Sequence, residues 1–282
     1  MSSLKKTVFM KSCFLMIAKR QNWFRLFFMM MGFVLFGCKM DNQERTESPQ
    51  EINRQTVITD FDFYPTSTTN QIIKHEFYRL SYSEKNEQAE WVAYELKGNS
   101  FKNNYNRPYF VADPLVKTGS ADWKNYKNSG YDKGHLCSAG DMKFSENAFE
   151  DTFYTSNISP QKPDFNAGVW NRLEQKVRYW ADKYDAIYVV TGGVLEPNLK
   201  TIGREKVAVP DFFYKVLLDV SKDNPRMIAF LVPHQNSDKP LYEFVIAVDE
   251  LEKRTGIDFF YNLPDEIENK LEKQTDYKMW SF

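Results

Sequence analysis

The chain has 282 residues, 42% of them hydrophobic and 27% charged, which excludes a disordered or collagen-like protein and is sufficient for a sizeable core. The net charge is −1, but residues 1–37 carry six Lys or Arg and no acid, so residues 38–282 hold 31 basic and 38 acidic residues and a net charge of −7. Bulk charge therefore gives no indication of a protein that binds polyanions.

The first 37 residues have the pattern of a secretory signal. A basic stretch precedes the apolar run 26–36, which is shorter than the roughly 20 residues of a membrane span but fits the about 7–15 of a signal sequence. The run ends Leu-Phe-Gly-Cys at Cys38, which resembles the lipobox of bacterial lipoproteins. This pattern predicts export, acylation of Cys38 and attachment to a bacterial membrane, at the outer membrane or the cell surface. An uncleaved membrane anchor is the alternative.

The remaining chain divides into a tether and one domain. Residues 39–58 are mostly polar and contain no aromatic residue, which is typical of a flexible linker. From about residue 61 the chain is rich in aromatic residues, and we see no second linker or repeat. We therefore expect a signal in 1–37, the acylated Cys38 with its tether in 38–59, and a single domain in 60–282. Processing would leave Cys137 as the sole thiol, so no disulfide is expected.

The domain mixes predicted strands with predicted helices. Apolar and alternating runs predict a hairpin from 75–82 and 91–96, and strands at 186–194, 212–220 and 227–232. Helical patterns lie at 145–151, 166–183 and 248–255. The order lacks βαβ regularity, and no Gly-rich phosphate-binding motif follows a strand, which argues against a Rossmann or P-loop enzyme. The pattern favours an α+β domain with a mixed, largely antiparallel sheet.

One of the three histidines stands out. His75 lies in a predicted strand and is expected to be a surface or cross-strand polar residue, and His234 is expected to be an ordinary loop residue. His135 lies in the segment GYDKGHL (130–136), where charged residues crowd a β segment interrupted by glycine. Core histidines rarely have an Asp and a Lys within three positions, so His135 is the candidate functional histidine.

Three polar residues recur on one side of the predicted helix 166–183. Asn166, Glu174 and Arg178 fall at about 0°, 80° and 120° around its axis, beside the apolar stripe. From the pattern alone, a solvated helix face with one Glu–Arg pair worth about 0.2–0.5 kcal/mol is the simpler interpretation.

Three blocks in order along the chain change that interpretation. DKGHL (132–136), DTFYTSNISPQ (151–161) and NAGVWNRLE (166–174) together resemble the DNA/RNA non-specific endonuclease family. The resemblance is specific over about residues 107–178 and weaker over the rest of the domain. It implies a ββα-metal (His-Me finger) motif within the α+β fold, and a metal-dependent endonuclease that hydrolyses DNA and RNA with little sequence specificity.

The resemblance also implies roles for individual residues. His135 stands at the position of the general base, and Asn166 at the single direct protein ligand of a Mg²⁺ ion, for which Mn²⁺ can substitute. Glu174 stands at an acid that supports the metal's water shell, and Arg178 at a cation near the phosphate. In a straight helix Asn166 and Glu174 would be about 12 Å apart along the axis, which is consistent with a contact of Glu174 through water.

Three further residues are expected to bind the substrate or shape its site. Asp132 begins the first block, and Lys133 stands where the family usually has Arg, which retains the charge but removes the bidentate geometry. Arg107, the nearest arginine upstream of the first block, is the candidate for an arginine that assists substrate binding in some members of the family.

Two other functions remain open: hydrolysis of a different phosphodiester or a pyrophosphate, and a catalytically silent surface lipoprotein. The sequence makes no prediction of the oligomeric state.

Overall fold

The computed structural model describes residues 61–99, 103–220 and 224–282. These residues belong to one unit, Asn53–Phe282. The predicted signal, the acylation site at Cys38 and the tether up to residue 58 lie outside the described residues. Within the described ranges, no helix combines the length and the apolar character needed to span a bilayer.

Eleven strands and five α-helices are found in the described ranges. The strands are β1 Ile72–Lys74, β2 Arg79–Ser83, β3 Gln88–Lys97, β4 Asp132–His135, β5 Ile158–Gln161, β6 Ala186–Gly193, β7 Thr201–Ile202, β8 Val207–Ala208, β9 Phe212–Asp219, β10 Arg226–Pro233 and β11 Val245–Ile246. The helices are α1 Glu146–Asp151, α2 Pro163–Phe165, α3 Asn171–Tyr184, α4 Val248–Thr255 and α5 Asp265–Leu271.

A seven-stranded sheet in the order β1-β2-β3-β6-β9-β10-β11 forms the centre of the domain, and all its neighbouring strands are antiparallel. Side chains alternate between its two faces, and both faces are buried. On β9, Phe213 and Leu217 pack with α3, whereas Tyr214 and Leu218 pack on the opposite face with α4 and α5. The prediction of an α+β domain with a largely antiparallel sheet is confirmed.

The sheet holds the predicted strands with small changes of boundary. The predicted hairpin is found as β2 and β3, paired antiparallel. Its start is wrong, because β1 ends at Lys74 and His75 lies in the turn before β2. The His75 side chain is 4% exposed, so the expected surface or cross-strand position is wrong as well.

A separate two-stranded hairpin carries the first two motif blocks. β4 pairs antiparallel with β5, which places His135 opposite Ile158. The chain then continues through α2 and α3, so two strands and a helical segment follow one another in a ββα arrangement. The loop between β4 and β5 contains α1.

The helix predicted over 166–183 is interrupted near its start. A π-helical turn spans Asn166–Trp170, and Gly168 leaves helical geometry at φ −94° and ψ −111°. A Cβ at Gly168 would meet the side chain of Asn236, whose Oδ1 accepts from the Val169 amide at 3.2 Å. The prediction of one continuous helix is therefore wrong, and the axial separation estimated for a straight helix does not apply to Asn166 and Glu174.

Candidate active site

A pocket of about 330 Å³ opens where the β4–β5 hairpin meets the start of α3. It brings together five residues that the sequence singles out, separated by up to 71 positions. They are Arg107, His135, Asn166, Glu174 and Arg178. The β4–β5 hairpin supplies the histidine, whereas the interrupted helix supplies the amide, the carboxylate and one of the two guanidinium groups.

His135 ends strand β4 with its imidazole held between two aromatic rings. The ring centroid lies 5.4 Å from that of Phe110 and 5.0 Å from that of Phe153, which is edge-on to it. Among the described residues, buried Nε2 has no hydrogen-bond partner. Burial, followed by the positive charge of Arg107, lowers the pKa of His135 to about 3. The imidazole is therefore neutral at pH 7 and can accept a proton.

Asn166 lies in the π-helical turn and is oriented by Asp132. Its amide nitrogen donates to Asp132 Oδ2 at 3.0 Å, which leaves the amide oxygen available to the pocket. The interruption at Gly168 begins two residues later, so the turn that carries Asn166 is separate from regular helix α3. Asp132 thus acts on the pocket through Asn166.

Glu174 lies on α3, where a hydroxyl and a buried ammonium act on its carboxylate. Ser138 Oγ donates to Glu174 Oε2 at 3.1 Å. Burial raises the pKa of Glu174 to about 7, against the opposing charge of Lys215. Lys215 is fully buried in β9, donates from Nζ to Thr191 Oγ1 at 3.2 Å, and lies 4.7 Å from the Trp170 ring centroid.

Arg178 is fixed by an ion pair at the side of the pocket. Its Nη1 donates to Asp141 Oδ1 at 2.7 Å, and the other carboxylate oxygen of Asp141 accepts from the Tyr94 hydroxyl at 2.7 Å. A Cβ on Gly140 would lie 2.9 Å from Arg178 Nη1, so a glycine is needed for the guanidinium to approach this closely. Arg178 is consequently rigid and remains at the pocket surface.

The three predicted substrate-binding residues occupy different places. Arg107 lines the pocket, with its guanidinium carbon 5.3 Å from the Phe153 ring centroid. Lys133 lies outside the pocket lining, with Nζ 5.3 Å from the Phe110 ring centroid. Asp132 also lies outside the lining and contacts Asn166.

The other two histidines have structural partners. His75 Nε2 lies 2.9 Å from Asp113 Oδ2, and its ring stacks on Tyr78 at 4.5 Å. His234 follows β10 in a loop, as expected, but it is buried. Its Nε2 accepts from the Lys162 amide at 2.7 Å, and its Nδ1 lies 2.8 Å from the Pro210 carbonyl oxygen. Both histidines connect segments distant in sequence.

Sequence reasoning missed three residues that act on the site. Lys215 has a detectable signal, because it is the single cation within the otherwise mostly apolar strand FFYKVLLD. Asp141 and Ser138 have no such signal, since an Asp and a Ser in a loop are ordinary. Their contacts with Arg178 and Glu174 depend on how the loop before α1 folds over α3.

Other carboxylates also approach one another on the far side of the sheet. In the described ranges, oxygen atoms within 4.8 Å of one another are contributed by two overlapping groups, Asp249, Glu252 and Glu272, and Asp258, Glu268 and Glu272. Burial, followed by Glu252 and Glu268, raises the pKa of Glu272 to about 8. We refer to these five residues as the α4–α5 carboxylate cluster.

Comparison with known proteins identifies relatives among nucleases. Mitochondrial nuclease EXOG of Danio rerio is 37% identical over 199 residues, 64% of this chain and 58% of that protein. Mitochondrial endonuclease G of Homo sapiens is 30% identical over 209 residues, 68% of this chain and 70% of that protein. A nuclease of Nostoc sp. is 31% identical over 233 residues, 75% and 82% of the two chains. The chain spans 58–65% of the EXOG proteins of zebrafish, human and mouse.

The fold gives the same result. The crystal structure of the EndoG/EndoGI complex matches with a TM-score of 0.64 at 30% identity, over 70% of this chain and 88% of that chain. The profile of the DNA/RNA non-specific endonucleases matches residues 62–266, which include the β4–β5 hairpin, the interrupted helix and the whole central sheet. The chain therefore belongs to the DNA/RNA non-specific endonuclease family.

Proposed function

We propose that this protein is a metal-dependent endonuclease that hydrolyses phosphodiester bonds of DNA and RNA with little sequence specificity. The observation that carries the proposal is a single pocket holding a neutral imidazole, an amide oxygen, a carboxylate and two guanidinium groups. Hydrolysis of a phosphodiester requires a base, neutralisation of anionic oxygens and a stabilised leaving oxygen, and this pocket contains groups for each.

His135 is the proposed general base. Nε2 has no competing hydrogen bond within the described residues, and the two phenylalanine rings restrict the imidazole to one orientation. A neutral imidazole takes a proton from water more readily than an ordinary carboxylate does near pH 7. An anionic phosphate beside the ring would raise the pKa of His135 from its low value and so strengthen the base.

Asn166 and Glu174 would hold the metal, which we propose to be Mg²⁺, with Mn²⁺ as a substitute. Both residues offer oxygen to the same pocket, and Mg²⁺ prefers oxygen ligands and retains several waters. Asp132 occupies the amide nitrogen of Asn166 and so orients its oxygen. We assign direct contact to Asn166 and contact through water to Glu174. The bound ion would neutralise charge on the phosphate and stabilise the leaving oxygen.

Arginines and lysines would hold the substrate phosphates. Arg178, rigid through Asp141, and Arg107 present guanidinium groups to the pocket, and such groups bind phosphate oxygens in pairs. Lys143 also lines the pocket. Lys133, outside the lining, would meet phosphates next to the scissile one. No base edge needs to be read for these contacts, which is consistent with low sequence specificity.

The test uses the purified full chain in detergent with supercoiled plasmid and with single-stranded RNA. We expect nicking and then degradation of both in Mg²⁺, and no cleavage in EDTA. An intact plasmid combined with hydrolysis of a small chromogenic diester would replace this function with that of another phosphodiesterase. Binding of nucleic acid without cleavage in any divalent metal would indicate a catalytically silent protein.

We also propose that the protein is exported and anchored to a bacterial membrane through acylated Cys38. The support is the basic, apolar and Gly-Cys pattern of the first 38 residues. Dual acylation would hold the chain firmly, since one acyl chain alone binds only marginally. Cys38→Ala should move the protein from the membrane fraction to the soluble fraction with its specific activity unchanged. Persistence in the membrane fraction would favour an uncleaved anchor.

A further inference from the structure

A second concave surface lies beside α3, outside the active-site pocket. It encloses about 500 Å³ and is lined from α3 by Arg172, Gln175, Lys176 and Tyr179. The opposite wall includes Tyr242, and we call this surface the α3 groove. The described contacts of the proposed catalytic groups do not involve it.

The α3 groove displays unusually exposed aromatic rings next to a cation. Tyr179 is 46% exposed and Tyr242 is 39% exposed. Lys176 Nζ lies 4.5 Å from the Tyr179 ring centroid. Tyr242 stacks on Tyr277 with centroids 4.7 Å apart and planes 15° from parallel, which covers one face of the ring, and Phe282 makes an edge contact with Tyr242 at 6.1 Å.

The groove and the active site share one helix. At 100° per residue, Asn171, Glu174 and Arg178 lie on one side of α3, and the groove residues lie about a third of the circumference away. Exposed Gln175 lies between the two sides. A nucleic-acid chain leaving the pocket needs only to cross the solvent-facing ridge of α3 to reach the groove.

The charge of the side chains that line the α3 groove indicates the kind of molecule that it binds. The lining includes Arg172 and Lys176, and none of its residues, all of them in the described part of the chain, has a carboxylate side chain. This contrasts with the net charge of −7 over residues 38–282. Aromatic rings beside cations are the usual surface for single-stranded nucleic acid, because bases stack on the rings while phosphates meet the cations.

We propose that the α3 groove is a subsite that binds the single-stranded continuation of the nucleic-acid substrate, with bases stacked on Tyr179 and Tyr242. This inference rests on the proposed nuclease function. A helix with its side chains is about 10–12 Å wide, and stacked nucleotides advance by about 3.4 Å, so the groove lies about three nucleotides from the scissile phosphate. A four-nucleotide strand centred on the scissile phosphate has only two nucleotides on each side and does not reach the groove, whereas a 20-mer does.

The experiment measures binding of fluorescein-labelled oligo-dT of four and of twenty nucleotides to the full chain by anisotropy, in EDTA to prevent cleavage. Tyr179→Ala and Tyr242→Ala should each weaken binding of the 20-mer about tenfold, the scale of one lost stacking contact. The ratio of the two affinities, 20-mer over 4-mer, should fall by the same factor. Tyr261→Ala, an exposed tyrosine outside the groove, is the matched control.

Lys176→Met provides a second readout. The slope of log K against log salt concentration for the 20-mer should become shallower by about 0.7, the value for one lost phosphate contact on a single strand. An unchanged affinity ratio in both tyrosine variants would overturn the proposal, as would a change of oligomeric state with unchanged oligonucleotide binding. If the wild-type chain neither binds the 20-mer nor cleaves plasmid in Mg²⁺, the nuclease function itself fails. If wild type cleaves plasmid but the two tyrosine variants bind the oligonucleotides as wild type does, only the groove proposal is rejected and the nuclease function stands.

Discussion

The active-site pocket and the α4–α5 carboxylate cluster both contain a glutamate whose pKa is raised well above its ordinary value, but the surroundings differ. Burial raises the pKa of Glu174 to about 7, and the positive charges of Lys215 and Arg178 oppose that effect. Burial raises the pKa of Glu272 to about 8, and each further contribution comes from another carboxylate and acts in the same direction. Both glutamates are shifted toward the neutral form, but cations oppose that shift only at Glu174.

This difference shows that a shifted pKa does not identify an active site by itself. The pocket combines Glu174 with a base, an amide oxygen and fixed cations, which together suit a phosphodiester and a metal ion. The α4–α5 carboxylate cluster offers only acids. Changes in the pocket should therefore alter catalysis, and changes in the cluster should alter stability with pH.

The largest effect is expected for His135→Ala. Loss of a general base lowers the rate by about 10²–10⁴. Turnover of plasmid in saturating Mg²⁺ measures it, with circular dichroism to verify that the domain is folded. His234→Ala is the control for a buried histidine outside the chemistry, and it should affect the melting temperature more than the turnover of folded protein.

Substitutions of Asn166 and of Glu174 should distinguish direct contact with the metal ion from contact through water. Asn166→Ala should raise the Mg²⁺ midpoint for activity by more than about tenfold, and Glu174→Gln by less, because only Asn166 is assigned direct contact. Asn171→Ala removes an amide from the same pocket and should leave the midpoint unchanged. A midpoint unaffected by Asn166→Ala would exclude it as a ligand.

Lys215→Met tests whether buried charge distinguishes the pocket from the cluster. Without the ammonium, a larger fraction of Glu174 is protonated. A rise of one pKa unit from about 7 lowers the ionised fraction at pH 7 from about one half to about one tenth, so kcat at pH 7 should fall by about fivefold. Because Met removes the charge that faces the buried carboxyls of Glu174 and Asp141, the free energy of unfolding should fall as well, so kcat is compared on folded protein. Lys97→Met, an exposed lysine at the end of β3, is the control. Equal kcat in both variants would show that Lys215 has no role in the site.

The smallest effect concerns the cluster and depends on pH. The folded pKa of Glu272 is about 8, above the roughly 4.3 of an unfolded glutamate, so the folded chain retains a proton that the unfolded chain releases. The contribution of this retained proton to the free energy of unfolding is fully present below about pH 4 and is lost as the pH rises toward 8. Glu272→Gln should raise the melting temperature in EDTA at pH 8.5 and leave it nearly unchanged at pH 4.5.

Glu266→Gln, on the exposed side of α5, should change the melting temperature little at either pH. An equal change for Glu272→Gln at both pH values would show that ionisation within the cluster is not its cause.

Sequence patterns were sufficient for five of the seven strands of the central sheet and for the proposed base, but not for strands β1 and β11 or for the contacts around the base. His135 is recognisable from its charged, glycine-flanked segment, and β6, β9 and β10 from their apolar runs. The break at Gly168 was not predictable, because it depends on the packing of Asn236, 68 residues downstream. Local periodicity likewise carries no information about Asp141, whose ion pair with Arg178 forms only in the folded loop.

Chemical rescue of His135→Ala by imidazole tests the central claim most directly. The variant removes a ring held between Phe110 and Phe153, and free imidazole can enter the resulting space. Plasmid cleavage by the folded variant in saturating Mg²⁺ should rise with the concentration of neutral imidazole, while wild type remains unaffected. Wild-type turnover in the variant without imidazole would contradict the account, because proton transfer would then be carried out by another group.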